Sequence, residues 1–218
     1  MKQRGGLFLS ECLKYLQPND HIDSDHPAIQ EQVRKLTGNM KEQVEKAVAL
    51  FNYVRDDITY NMYACQPGAA FKASAVLQNG EGWCLQKSLL LAALGRAAGI
   101  PSRLVIATIR NYQVSPEVIE FMGGNLFFPH AYNQFYLEGK WVKAAAALDS
   151  ELCKRIEVPV VEFDGRNDAM MPALALDGQP FIEYVEDFGY FADIPFALIQ
   201  DKCKQIYGPE LAGYMVDS

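Results

Sequence analysis

Cys84 is the residue in this sequence best placed to act as a nucleophile. It follows a glycine-broken stretch, Leu77-Gln78-Asn79-Gly80-Glu81-Gly82. With Trp83-Cys84-Leu85 it opens the strongest helical pattern of the chain, apolar at Leu89, Leu90, Ala93, Leu94 and Ala97. A helix N-terminus carries unpaired N–H groups and a partial positive charge. Both lower a thiol's pKa and favour the thiolate, which is the reactive form. The same N–H groups can hold a developing oxyanion. Gln78 and Trp83 flank this turn and are the expected oxyanion or substrate-binding side chains.

A thiolate nucleophile needs an imidazole to take and return its proton. The chain has three histidines. His21 and His26 lie in a polar N-terminal loop, whereas His130 follows Pro129 at the start of an alternating strand pattern. An acid should orient that ring, and Asp149, beyond the next strand, is the candidate. The plainer readings stand beside these. A helical Cys is commonly a small buried hydrophobe. Asp149 could simply cap a helix over Ser150–Arg155, and Gln78 could be a surface turn residue. His21, Asp23, Asp25 and His26 have metal-ligand chemistry, but their spacing fits no metal motif, so no metal and no cofactor are expected.

These residues need a scaffold. The chain is 218 residues long, half of them hydrophobic and 22% charged, enough for one well-packed domain. Its net charge of −7 argues against a general nucleic-acid binder, which needs a basic stripe. The five cysteines are widely spaced with no CxxC pair, so reduced thiols are expected. No run approaches the length of a membrane span and no signal-peptide core is visible, which implies a cytoplasmic location away from membranes. A short helix is expected over 7–17 and another after Pro27, ending at Gly38. A capping box at Asn39 and Glu42 should open a third that runs to about Asp57. After the Cys84 helix, Gly99 and Pro101 force a stop. Strands then follow at Arg103 to Arg110, Ala131 to Leu137 and Trp141 to Ala144, with a loop over 111–129 that could cover the site. Helices before an antiparallel sheet make an α+β domain. The aromatic, acidic segment from about 160 to 218, with a helix at 195–206, is read as an extension packed on the same core.

Several stretches resemble the transglutaminase-like superfamily. They are Gly82-Trp83-Cys84 opening a helix, Ala97-Ala98-Gly99-Ile100-Pro101-Ser102-Arg103, His130-Ala131-Tyr132 and Gly139-Lys140-Trp141-Val142. Phe51 to Tyr60 is similar to the lead-in helix of bacterial members. The resemblance covers about residues 20–155. It implies a papain-like fold, with Cys84 as nucleophile and His130 as base. Bacterial members commonly place the third residue about four positions after the strand Trp. Here that position is Ala145, within a run of alanines, and Asp149 is the nearest acid.

The expected chemistry is therefore acyl transfer through a thioester on Cys84, with a peptide or small amide as substrate. Water is the expected acceptor, because the chain shows no acidic calcium loop of the EF-hand kind. The alternatives are an amine-accepting transglutaminase or acyltransferase, and a binding module that keeps the fold with an eroded triad.

Overall fold

The computed structural model describes residues 12–64 and 71–216. Of the helix expected over 7–17, only the end from Cys12 lies within the described residues. Helix α1 (Pro27–Thr37) starts where Pro27 sets the first helical φ and His26 Nδ1 accepts the Ala28 N–H at 3.2 Å. It buries Ile29 and Val33 and ends at Gly38. Helix α2 (Gln43–Asp56) begins at Glu42, not at the Asn39 capping box read from the sequence, and no side chain caps it. The Met40 N–H bonds back to Thr37 O at 2.9 Å, so Asn39 is held in the turn that closes α1.

A two-residue strand β1 (Thr59–Tyr60) follows, then helix α3 (Ala73–Asn79) and strand β2 (Glu81–Gly82), which pairs with β1 in parallel. Gly80 makes the turn between α3 and β2 at φ +70°, where a side chain would be strained. Helix α4 (Cys84–Ala97) comes next, bounded as the periodicity predicts.

The remaining elements are β3 (Ser102–Asn111), α5 (Pro116–Met122), β4 (Leu126–Leu137), β5 (Lys140–Ala144), α6 (Ser150–Arg155), β6 (Ile182–Phe191) and α7 (Phe196–Val216), which is broken at Gly208. They form a four-stranded antiparallel sheet in the order β5-β4-β3-β6. The architecture is the expected α+β, with corrections. The 111–129 segment is not a loop throughout. Ser115 Oγ accepts the Val118 N–H at 3.4 Å, Pro116 starts α5 and Gly123 ends it at φ +72°. Strand β4 begins at Leu126, not Ala131. The C-terminal segment adds the edge strand β6, which the sequence reading missed because half of its residues are exposed and one is buried, with no alternation between them. No helix among the described residues is long and apolar enough to cross a membrane.

Helix α4 is the centre of the core. Every residue from Cys84 to Arg96 is buried, between α1, α2 and α3 on one side and β3 and β4 on the other. Close contact with the sheet is made at Gly95, where a Cβ would collide with Ser102 Oγ and stand 2.5 Å from Phe135 Cε1. Gly to Ala in an exposed helix gains up to about 1 kcal/mol. Here Gly95→Ala should instead cost about 1–3 kcal/mol through overpacking. A lowered urea midpoint with unchanged slope is the expected result.

Candidate active site

Cys84 occupies the first helical position of α4, directly after Trp83 at the N-cap. An indole is a hydrogen-bond donor only, so Trp83 cannot cap the first turn with its side chain. Its backbone N–H donates to Gln86 Oε1 at 3.3 Å. That return contact explains Gly82: a Cβ there would lie 3.0 Å from Gln86 Cβ and 3.2 Å from Gln86 Oε1. The helix start therefore keeps its positive end directed at the thiol, and the side chain that caps from solvent elsewhere is missing. Trp83 is itself buried, and its Nε1–H has no acceptor among the described residues. A buried donor without a partner costs about 1–3 kcal/mol, which makes it a ready ligand-binding group.

His130 lies on β4, opposite Ala107 of β3. The Cys84 Sγ stands 3.7 Å from Pro129 O, the carbonyl just before His130. Cys84, Trp83 and His130 line one cavity of about 780 Å³. The His130 ring is 3% exposed, and burial drives its pKa down to about 3, so it is neutral at physiological pH. Tyr184 of β6 brings its hydroxyl to 3.5 Å from Nε2. The two rings meet edge to face with centroids 5.6 Å apart. Burial raises the Tyr184 pKa, so the hydroxyl stays neutral, with the Met171 backbone N–H against it.

Asp149 does not take the orienting role expected of it. Its Oδ1 accepts the Leu152 N–H at 2.7 Å as the N-cap of α6, and its Oδ2 accepts the Tyr60 N–H at 3.0 Å. Both oxygens are thus used to join α6 to β1. The physical reason is its position one residue before a helix, where a carboxylate satisfies orphan N–H groups. Gln78 is also misplaced by the sequence reading. It sits on the exposed side of α3, pointed to solvent by helical spacing, and is absent from the cavity wall. Tyr184 was missed because it lies far along the chain in β6, and only the pairing of Ile109 with Tyr184 brings it to the site.

The N-terminal His/Asp cluster has structural work. His21 Nδ1 pairs with Asp193 Oδ2 at 3.0 Å, and Asp23 Oδ1 accepts the Ser74 N–H at 3.0 Å. Among the described residues no group of three or more His, Cys, Asp or Glu is arranged to hold a metal ion. Cys12, Cys84, Cys153 and Cys203 are buried and form no disulfide with one another, and Cys65 lies outside the described residues.

The sequence pattern of the transglutaminase-like superfamily matches residues 30–146, from α1 through β5 and the alanine run. No curated protein matches the chain. Among solved structures, one from Cytophaga hutchinsonii named a "putative cysteine protease" shares the fold. It has a TM-score of 0.51 and 15% identity over 83% of this chain and 54% of its own. The chain thus spans about half of that neighbour. The periplasmic domain of TgpA from Pseudomonas aeruginosa is similar at a TM-score of 0.44 and 18% identity, over 61% of this chain and 45% of that one.

Two outcomes test this geometry. Asp149→Ala should lose about 2–3 kcal/mol, since it strands two backbone N–H groups. Asp149→Asn should recover part of that, while the His130 ring titration, followed by NMR, stays where it is. The second concerns acid. The folded-state pKa of His130 is depressed, so below about 6.5 the unfolded chain binds a proton that the folded chain refuses. The stability present above that pH is lost as pH falls toward about 3. Between pH 7 and 4.5, unfolding in urea should show the wild-type losing about 2–3 kcal/mol more than His130→Gln.

Proposed function

The chain belongs to the transglutaminase-like superfamily, and from that premise we propose that it is a cysteine-dependent acyl-transfer enzyme that hydrolyses amide or ester bonds. The observation that carries this is the convergence of Cys84, at an uncapped helix start, with His130 on the wall of one cavity. The Cys84 sulfur attacks the substrate carbonyl carbon and gives up its proton to His130. Since Nε2 faces Tyr184, Nδ1 is the ring nitrogen left for the sulfur. The Trp83 indole N–H and the first-turn N–H groups of α4 hold the oxyanion. Collapse breaks the bond to the leaving group, which departs with the proton from His130. Water then attacks the thioester carbon, His130 takes its proton, and the acid is released as the Cys84 thiol re-forms.

The environment sets the character of this pair. Among the described residues no carboxylate bonds to the His130 ring, and burial opposes its positive charge. The resting site therefore holds a neutral imidazole, able to serve as base over a wide pH range but offering less stabilisation to an imidazolium than a charged orienter would. That same observation favours a second reading, a binding module that retains the fold without turnover. The rim of the cavity carries the exposed residues Gln113, Ser115 and Glu117, through which water has a route to the thioester, and water is far more concentrated than any amine.

Cys84→Ala should abolish turnover of acyl esters and amides, with unchanged far-UV circular dichroism. Trp83→Phe should lower kcat about 100-fold with little change in KM, as expected for loss of one oxyanion donor. Incubating the enzyme with an acyl ester and a labelled primary amine should give mainly free acid. Dominant amine incorporation would establish the acyltransferase alternative, and no consumption of any acyl substrate would establish the binding module.

A further inference from the structure

The cavity that contains Cys84 and His130 is larger than two catalytic side chains need, at about 780 Å³. This is within the size range of small-molecule sites. Its walls are unequal in chemistry. Beside Trp83, Cys84 and His130, the buried part is lined by Ile109, Phe128, Met171, Phe181 and Ile182, all apolar. The polar lining residues Gln113, Ser115 and Glu117 are exposed and form a rim, and Asn111 beside them is half-buried, its Oδ1 accepting the Gln113 N–H at 2.9 Å. Among the described lining residues there is no Lys or Arg, and Glu117 is the single carboxylate. Ser115 and backbone N–H groups at the start of α5 hold the Glu117 carboxyl below its usual pKa, so it is ionised.

These features select the acyl group. An anionic acyl group would meet no cation in the buried part and would have to pass an ionised carboxylate at the rim. A strongly polar side chain would give up water and find few donors or acceptors in the buried part beyond the Trp83 indole and the His130 ring, which the reacting carbonyl and thiol occupy. An apolar group gains from every surface it covers. We infer that, on the reading that Cys84 is acylated, the site takes a neutral and mainly apolar acyl group in this pocket, with the scissile carbonyl between Cys84 and the Trp83 indole.

Elements outside the nucleophile helix and its neighbouring strands build the selecting wall. Val118 and Met122 come from α5, Leu152 and Ile156 from the α6 region, and Tyr207 from α7. Tyr207 is fixed rather than loose: its hydroxyl accepts the Phe128 N–H at 2.7 Å and donates to Leu126 O at 3.2 Å. The C-terminal helix is thereby anchored to the strand that carries His130.

The test uses the full chain and p-nitrophenyl esters of linear acids with two to eight carbons, beside a glutaryl monoester. Full burial of a methylene is worth about fourfold. The expected result is a rise in kcat/KM of about 100-fold from the acetyl to the octanoyl ester, with the glutaryl ester poorest, and a mass shift on Cys84 for each acyl group. Val118→Trp, which fills part of the pocket, should move the optimum to shorter chains. A flat series, or preference for the glutaryl ester, overturns the inference while leaving the thiol chemistry in place. If no ester acylates Cys84, the enzymatic reading falls, and binding of octanamide to Cys84→Ala by calorimetry decides the pocket. Binding that weakens in the Cys84→Ala/Val118→Trp double variant upholds an apolar ligand site, and absence of binding overturns it.

Discussion

The burial of α4 on every side is the constraint on which the rest of the structure depends. A helix that is buried all round cannot leave its polar groups to water, so each needs an internal partner. Lys87, one turn beyond Cys84, is 1% exposed and gives its ammonium protons to Arg55 O at 3.0 Å and Ile58 O at 2.7 Å. Burial lowers its pKa to about 8, against the opposing charge of Asp149. The carbonyls it satisfies belong to the end of α2 and the residue before β1. At the other end Arg96 donates to Ser102 O, Gln17 O and Ala192 O. In the middle, Asn133 Nδ2 donates to Ser88 O at 2.9 Å from β4. The helix that presents the thiol is therefore tied to α2, to the sheet and to the segment after β6. The thiol's position is rigidly defined because so many distant segments must agree on where α4 sits.

The second consequence is electrostatic. His130 is buried, and among the described residues no carboxylate bonds to its ring to compensate a charge there. A neutral tyrosine, Tyr184, takes the place beside Nε2, supplied by an edge strand that enters the sheet late in the chain. It is held by more than one contact, since its ring also meets Tyr132 edge to face at 5.8 Å, and the Tyr132 hydroxyl donates to Asp187 at 3.1 Å. Position is thus secured by packing and not by charge. Asp149 serves a neighbouring purpose: by capping α6 and holding the Tyr60 N–H it sets the wall of the same cavity without touching the base.

Much of this was legible in the sequence, and the reasons are local. The apolar period from Cys84 to Ala97 and the stop at Gly99 depend on neighbours three or four residues apart, so the helix and its start could be read directly. Likewise the strands around His130 and Trp141 follow from alternation, and Cys84 and His130 stood out by type and place. The capping role of Asp149 was also visible, as the plainer of two readings. Tertiary structure decided what depends on distance along the chain. The Ser115-Pro116 helix signal was present but sat within a stretch dominated by glycine and aromatic residues. Strand β6 could not be recognised because its burial pattern does not alternate, with Ile182 alone buried and half of its residues exposed, and so Tyr184 could not be placed beside His130. Whether a carboxylate or a phenol meets that ring is set by sheet register, which no local spacing encodes. The same holds for the pocket: its apolar walls come from α5, α6, β6 and α7, which only the packing around a fully buried α4 brings to a common centre.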